Sequence, residues 1–172
     1  QNALGACQIV TDSVFNVSCN GGNDGAIYID VFAAIPVVLY QWSNGAITQD
    51  VTNLVAGTYT VTITDLTLCT ATQSFVITEP DLLELTITQQ EVTCAAPNGE
   101  LNTTFTGGTG SVSYLWSDGS TNASLANLLA GNYTCTITDS LGCTDVETIQ
   151  LNAIDPPQIV VDSVQNVLCN GG

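Results

Sequence analysis

The chain has no lysine, arginine or histidine, although it carries 16 aspartate and glutamate side chains. Ion pairs between side chains are therefore excluded, and so is a nucleic acid partner, because neutralising phosphate requires lysine or arginine. Anionic membrane surfaces are disfavoured for the same reason. Without histidine and lysine, the usual triad base and the Schiff-base amine are missing. A carboxylate pair could still hydrolyse glycosides, but no acid occupies a distinctive motif, so we expect no enzyme.

Long apolar runs and methionine are absent as well. No stretch approaches the roughly 20 residues of a membrane-spanning helix, so we expect no membrane insertion. A signal peptide is not visible, as would be the case for a segment of a mature secreted protein.

The sequence repeats itself with a period of about 75 residues. Residues 8–22 return as 158–172, with twelve of fifteen positions identical at an offset of 150. The stretch NLVAGTYTVTITD at 53–65 returns as NLLAGNYTCTITD at 127–139, an offset of 74. A fixed period of this kind is the signature of tandem modules.

The period divides the chain into two whole repeats and part of a third. We predict repeat 1 at residues 8–81, repeat 2 at 82–156 and the first strand of a third repeat at 157–172. Residues 1–7 match neither repeat, and we interpret them as an N-terminal extension or the end of a preceding module.

Seven cysteines indicate an oxidising compartment. Each whole repeat has one cysteine before its first turn and one before its last strand. We therefore predict two disulfides within repeats, Cys19–Cys69 and Cys94–Cys143. Each would close a loop of about 50 residues, which stabilises a fold by about 4 kcal/mol in the chain-entropy model.

Three further cysteines have no partner in this scheme: Cys7, Cys135 and Cys169. Repeat 1 has Val61 at the position of Cys135, so we interpret Cys135 as a small buried hydrophobic residue. The alternative is an antibody-like Cys94–Cys135 pair, which Val61 could not copy in repeat 1. The partner of Cys169 would lie beyond residue 172.

Alternation with period two dominates the sequence and predicts an all-β fold. In TYTVTITD, Tyr59, Val61 and Ile63 point to one side and the threonines to the other. Asn44-Gly45 is a strong hairpin signal. Six or seven short strands per repeat favour an immunoglobulin-like or fibronectin-like β-sandwich.

Recurrent aromatic residues make this fold more specific. Tyr59 and its copy Tyr133 follow Leu-x-Ala-Gly-x stretches typical of a tyrosine corner. Trp42 and Trp116 lie on an earlier strand and are expected in the core. The alternative is that these tryptophans face solvent and stack on a sugar.

Four stretches of repeat 1 together form a recognisable pattern: SCNGGNDGAI at 18–27, YQWSNGAIT at 40–48, NLVAGTYTVTITD at 53–65 and CTATQSFVITEP at 69–80. This pattern resembles the SprB repeat, a module of the giant cell-surface adhesins of gliding Gram-negative bacteria. Repeat 2 departs from the pattern, because it has CAAPNGEL where repeat 1 has CNGGNDGAI.

The resemblance implies an extracellular array of small sandwiches at the cell surface, exported by the type IX route and serving adhesion, gliding motility or filament formation. Its partners would be neighbouring repeats of the same chain, with lateral or filament assembly as a further option. The alternative function is a carbohydrate- or calcium-binding accessory module of a secreted protein. Carbohydrate binding would use exposed aromatic residues such as Tyr28, Tyr40 or Tyr114.

We expect no cofactor, and calcium is the one metal that the residues could hold. Oxygen ligands suit calcium, and Asn20, Asn23 and Asp24 share one glycine-rich turn. Asp30 and Asp65 are further candidates, although the spacing is not that of an EF-hand. The competing interpretation is a turn without metal, because Asn, Asp and Gly build such turns by themselves.

Three Asp-Ser-aliphatic stretches look like an O-glycosylation signal of the bacterial group that carries SprB-like adhesins. They place candidate glycans on Ser13, Ser140 and Ser163.

Overall fold

The computed structural model describes residues 7–33, 36–93 and 97–154, which form strands and turns. No helix within these ranges could cross a membrane. Within the described residues, the first unit has six strands: β1 Gln8–Phe15, β2 Gly25–Phe32, β3 Val37–Trp42, β4 Val51–Leu54, β5 Gly57–Asp65 and β6 Thr70–Ile77. The described part of the second unit has eight: β7 Glu84–Gln90, β8 Val92–Thr93, β9 Gly99–Thr106, β10 Ser113–Trp116, β11 Ser124–Leu128, β12 Gly131–Thr138, β13 Thr144–Leu151 and β14 Ala153–Ile154.

Two three-stranded antiparallel sheets form the first unit, with strand orders β1-β2-β4 and β3-β5-β6. The alternating apolar residues of each strand face inward. Ile27 and Ile29 of one sheet and Val61 and Ile63 of the other are essentially inaccessible and share one core. This is an immunoglobulin-like β-sandwich in which six strands take the places A, B, C, E, F and G.

The second unit repeats this sandwich. Its sheets have the orders β7-β9-β11 and β10-β12-β13, around a core that includes Leu101, Trp116 and Ile137. The first residues of β2 and β9, of β5 and β12, and of β6 and β13 are each 74 positions apart. A short parallel pair, β8 with β14, is added. The prediction of two all-β sandwiches with matching strands is confirmed.

Both tryptophans lie in the cores. Trp42 and Trp116 are each 2% exposed. Their indole N–H groups donate to the carbonyls of Thr48 and Asn122, both at 2.9 Å. The prediction of core tryptophans is confirmed, and the alternative of a sugar-stacking surface tryptophan is wrong.

Both predicted tyrosine corners are present. The Tyr59 hydroxyl donates to the carbonyl of Val55 at 3.0 Å, and the Tyr133 hydroxyl donates to that of Leu129 at the same distance. Each bond fastens the turn before the late strand to that strand, which fixes where β5 and β12 begin.

The strand directions place the loops of the first unit at two opposite ends. Gly25 pairs with Leu54, and Gly57 pairs with Ile77, so the loop between β1 and β2 shares an end with the start of β5. From there β5 extends to Asp65, a distance of about 26 Å at the rise of a strand. The turn between β5 and β6 therefore lies at the far end of the sandwich.

Candidate functional site: the junction between the two units

The two units meet in a region that we call the junction. It contains the loop 16–24 of the first unit, the linker 78–83, and the turns 107–110 and 139–144 of the second unit. A cleft of about 290 Å³ lies here, and its walls come from both units and from the linker.

Polar contacts attach the linker to the first unit. The Asn20 side-chain amide donates to the Pro80 carbonyl at 3.0 Å. The backbone N–H of Gly21 donates to the Glu79 carboxylate at 2.6 Å, a short charge-assisted bond. The glycine-rich turn of repeat 1 therefore binds the linker that leaves the same repeat.

The far half of the linker packs on the second unit. The backbone N–H of Gly108 donates to the Asp81 carbonyl at 3.0 Å. Gly107 has φ +68°, and a side chain there would collide with the Leu82 carbonyl, so glycine is required for this close approach. Leu83 is buried in the core of the second unit. The linker is thus held on both sides.

A disulfide between Cys19 and Cys143 joins the two units covalently. Their Cα atoms are 5.6 Å apart, within the normal range for a disulfide. Cys143 is 9% exposed, and its sulfur lies 3.3 Å from the Ser18 carbonyl oxygen. The bond connects positions that are separated by 124 in the sequence.

The predicted pairing within repeats is wrong. Cys69 bonds to Cys7, and Cys19 bonds to Cys143; Cys94 lies outside the described residues. The reason is the strand count. Cys19 lies in the loop between β1 and β2, and Cys69 in the turn between β5 and β6, at opposite ends of one sandwich about 26 Å apart. Cys69 instead meets Cys7 at its own end of the sandwich, and Cys19 meets Cys143 of the second unit at the other end.

Cys7 is the functional residue that the sequence interpretation missed. It directly precedes β1 and lies at the same end as Cys69, with Cα atoms 6.0 Å apart. Its backbone N–H points at the Cys69 sulfur at 3.1 Å. Cys69 and Cys143 occupy equivalent turns of the two repeats. Cys69 bonds to Cys7, which precedes the first sandwich, and Cys143 bonds to Cys19, which precedes the second sandwich. Counting strands between cysteines would have revealed this pattern.

The turn that carries Cys69 is organised by Asp65, whose side chain is 3% exposed. One carboxylate oxygen accepts the Thr67 hydroxyl and backbone N–H, both at 2.7 Å, and the Cys69 backbone N–H at 3.0 Å. The Thr67 hydroxyl and these N–H groups hold the pKa of Asp65 below its ordinary value, against the effect of burial. Asp65 therefore acts as the residue that organises this turn.

Asp139 organises the equivalent turn that carries Cys143. It accepts the backbone N–H groups of Leu141 and Cys143, both at 2.9 Å, and that of Thr109 at 2.7 Å. Burial raises the pKa of Asp139, but the N–H donors together lower it below the ordinary value. The bond to Thr109 also connects the two turns that the second unit presents at the junction.

The candidate calcium residues lie in the junction loop and are exposed. The carboxylate of Asp24 accepts the backbone N–H of Ser18 at 2.9 Å, and hydrogen bonds from Ser18 lower the pKa of Asp24. The side chain of Asn20 donates to the Pro80 carbonyl, and Asn23 is exposed. These contacts are those of a turn, and calcium binding at Asn20, Asn23 and Asp24 stays a prediction.

A different group could hold a metal by proximity alone. Ligand atoms of Cys7, Asp65 and Cys69 lie within 4.8 Å of one another. The two sulfurs are joined in a disulfide, and a thiolate is what binds a metal. The arrangement therefore serves the covalent bond.

The candidate glycosylation sites lie in different settings. Ser13 is half-buried on β1, whereas Ser140 is exposed and its hydroxyl donates to the Thr109 carbonyl at 2.6 Å. Ser163 lies outside the described residues. Glycosylation at Ser13, Ser140 and Ser163 stays a prediction.

The candidate carbohydrate-binding aromatics are half-buried. Tyr40 and Tyr114 pack against the two cores, and Tyr28 contacts the exposed Phe15 edge-on with ring centres 6.0 Å apart. They do not form one aromatic platform.

Of the remaining cysteines, Cys135 is a buried free thiol in the core of the second unit, opposite Trp116 on β10. Burial raises the pKa of this thiol. The prediction of a small buried hydrophobic residue is confirmed. Cys169 lies outside the described residues.

The fold and the junction define tandem immunoglobulin-like modules that are joined end to end. The sequence model of the SprB repeat matches residues 11–47 and 86–121. Both regions therefore match the family that the sequence resembles. The two matches begin at positions 11 and 86, one period of the sequence apart. No curated protein matches the chain in sequence.

Solved structures of immunoglobulin domains are similar to this chain in fold. The eight N-terminal domains of DSCAM isoform 1.30.30 match at 10% identity and a TM-score of 0.44, over 88% of this chain and 25% of that one. DIP-gamma Ig1+Ig2 matches at 11% identity and 0.42, over 88% and 99%. Murine CEACAM1b matches at 17% identity and 0.32, over 90% and 88%. The chain thus spans a quarter of the DSCAM chain.

Proposed function

We propose that this chain is part of a structural, adhesive repeat array that a secreted protein displays at the cell surface. The observation that carries the proposal is the junction, where a disulfide and a linker bonded on both sides fix one SprB repeat to the next. A binding module needs no such fixation, whereas a stalk that holds an adhesive end away from the cell does.

Three features support this function over the alternative of a carbohydrate-binding accessory module. The tryptophans are buried, the aromatic candidates are spread over separate surfaces, and successive units are joined. The disulfides support a location outside the cell, since such bonds persist in oxidising environments. The match to the SprB repeat supports export by the type IX route and a role in gliding or adhesion in a Gram-negative bacterium. We propose no catalytic function.

Surface labelling of the source bacterium tests this proposal. Antibodies raised against residues 7–154 should label intact cells, and brief protease treatment of intact cells should remove the label. Deleting the two repeats in frame should lower attachment to surfaces or gliding speed. A deletion strain complemented with the wild-type gene is the control. Labelling only after lysis, or normal attachment without the repeats, would contradict the proposal.

The alternative is tested on the purified chain. A stalk should bind no glycan, and Tyr28→Ala should have the same binding profile as the wild type. Saturable glycan binding that Tyr28→Ala, Tyr40→Ala or Tyr114→Ala weakens would favour the accessory module instead.

A further inference from the structure

The positions of the two disulfides determine how a pulling force would pass through this chain. We propose that the Cys19–Cys143 bond diverts tension past all but one long strand of each β-sandwich, so that the array withstands pulling without unfolding the rest of each sandwich. The inference deepens the proposed role as a stalk and rests on it, because only a chain held at both ends is under tension.

The covalent route through the described residues is short. It follows the backbone from Cys7 to Cys19, crosses the disulfide, and continues along the backbone from Cys143 to Ile154. Only two of the long strands lie on this route, β1 in the first unit and β13 in the second. Both are edge strands of their sheets.

Everything between the two cysteines lies inside a covalently closed loop. This includes both tryptophans, the linker and the remaining long strands of the two sandwiches. Without the bond, all the force would pass through the linker 78–83 and the hydrogen bonds that hold it. With the bond, the load can pass from one unit to the other through Cys19 and Cys143, because a covalent link cannot lengthen as an unfolding domain does.

The second disulfide does not change the shortest route. A second covalent route crosses the Cys7–Cys69 bond and then follows the backbone from Cys69 to Ile154. That segment is more than three times as long as the two short segments that the route through Cys19 and Cys143 uses. The two bonds therefore predict different lengths when each is removed alone.

These lengths follow from the reach of an extended chain, in which one residue spans about 3.5 Å. The two segments of the short route, 7–19 and 143–154, together extend to about 80 Å. The segment 69–154, which remains without Cys19–Cys143, extends to about 300 Å, and the reduced chain 7–154 to about 510 Å. The differences are large compared with the few ångströms of a disulfide.

Single-molecule pulling with handles at the ends of the full chain tests the proposal. All variants carry Cys94→Ser and Cys169→Ser, so that no additional bridge forms, and peptide mapping without reductant first verifies the pairs. The residues outside 7–154 add the same length to every variant. Relative to this background, Cys19→Ser with Cys143→Ser should lengthen the unfolded chain by about 220 Å, and reduction should lengthen it by about 430 Å.

The matched control is Cys7→Ser with Cys69→Ser, which also removes one disulfide but should leave the final length unchanged. A background chain that extends as far with its disulfides intact as after reduction would overturn the proposal, as would a mapping without Cys19–Cys143. These outcomes are independent of the surface-labelling experiment, since a chain could have the short route and yet lie inside the cell.

Discussion

Removing the bond between the units should uncouple their unfolding. The change is Cys19→Ser with Cys143→Ser, which removes both sulfurs of that bond. The bonded cysteines are separated by 124 positions, and the chain-entropy model gives about 5 kcal/mol for a loop of that length. A unit of about 70 residues has only a few kcal/mol of its own. The loss is therefore comparable to the stability of one unit.

Each unit has one buried tryptophan, so fluorescence can follow the units separately during urea unfolding. Trp116→Phe leaves Trp42 to report on the first unit, and Trp42→Phe leaves Trp116 to report on the second. With the bond intact, both probes should give one shared transition. In the double-serine variant the second unit should unfold at lower urea, because the first unit keeps its Cys7–Cys69 bond.

The control for this experiment is Cys7→Ser with Cys69→Ser. It should lower the stability of the first unit by about 4 kcal/mol while the bond between the units remains. Unfolding curves of the Cys19→Ser, Cys143→Ser variant that superimpose on those of the wild type, for both probes, would refute the reasoning from loop closure.

Three further predictions concern charge and the core. The folded-state pKa values of Asp65 and Asp139 lie below the ordinary value of about 4, so the stability that these carboxylates contribute is present at neutral pH and is lost as pH falls below about 4. The melting temperature should therefore fall less in acid for the variant Asp65→Asn with Asp139→Asn than for the wild type. Sixteen side-chain carboxylates with no cationic side chain repel one another. The melting temperature should therefore rise with salt, and magnesium and calcium should act equally. A saturating response to calcium alone that Asp24→Ala abolishes would show a dedicated calcium site instead. Cys135→Val copies Val61 of the first unit, and chemical denaturation should find a change of less than about 1.5 kcal/mol.

The sequence alone was sufficient for everything that repeats locally. The alternating strands, the buried tryptophans, the tyrosine corners and the turn at Asp65 all follow from residue patterns within a few positions. Such features are set by the pleat of a strand, by side-chain burial and by hydrogen bonds to the nearby backbone. A second copy of each pattern in the same chain made the prediction more secure.

The disulfide pairing was decided only by the tertiary structure. The sequence shows that Cys19 and Cys69 belong to one repeat, but pairing depends on which end of the sandwich each reaches. An antiparallel sandwich sends alternate loops to opposite ends, about 26 Å apart here. A disulfide spans only about 6 Å between Cα atoms. Cys19 therefore bonds forward to Cys143 in the next unit, and Cys69 back to Cys7.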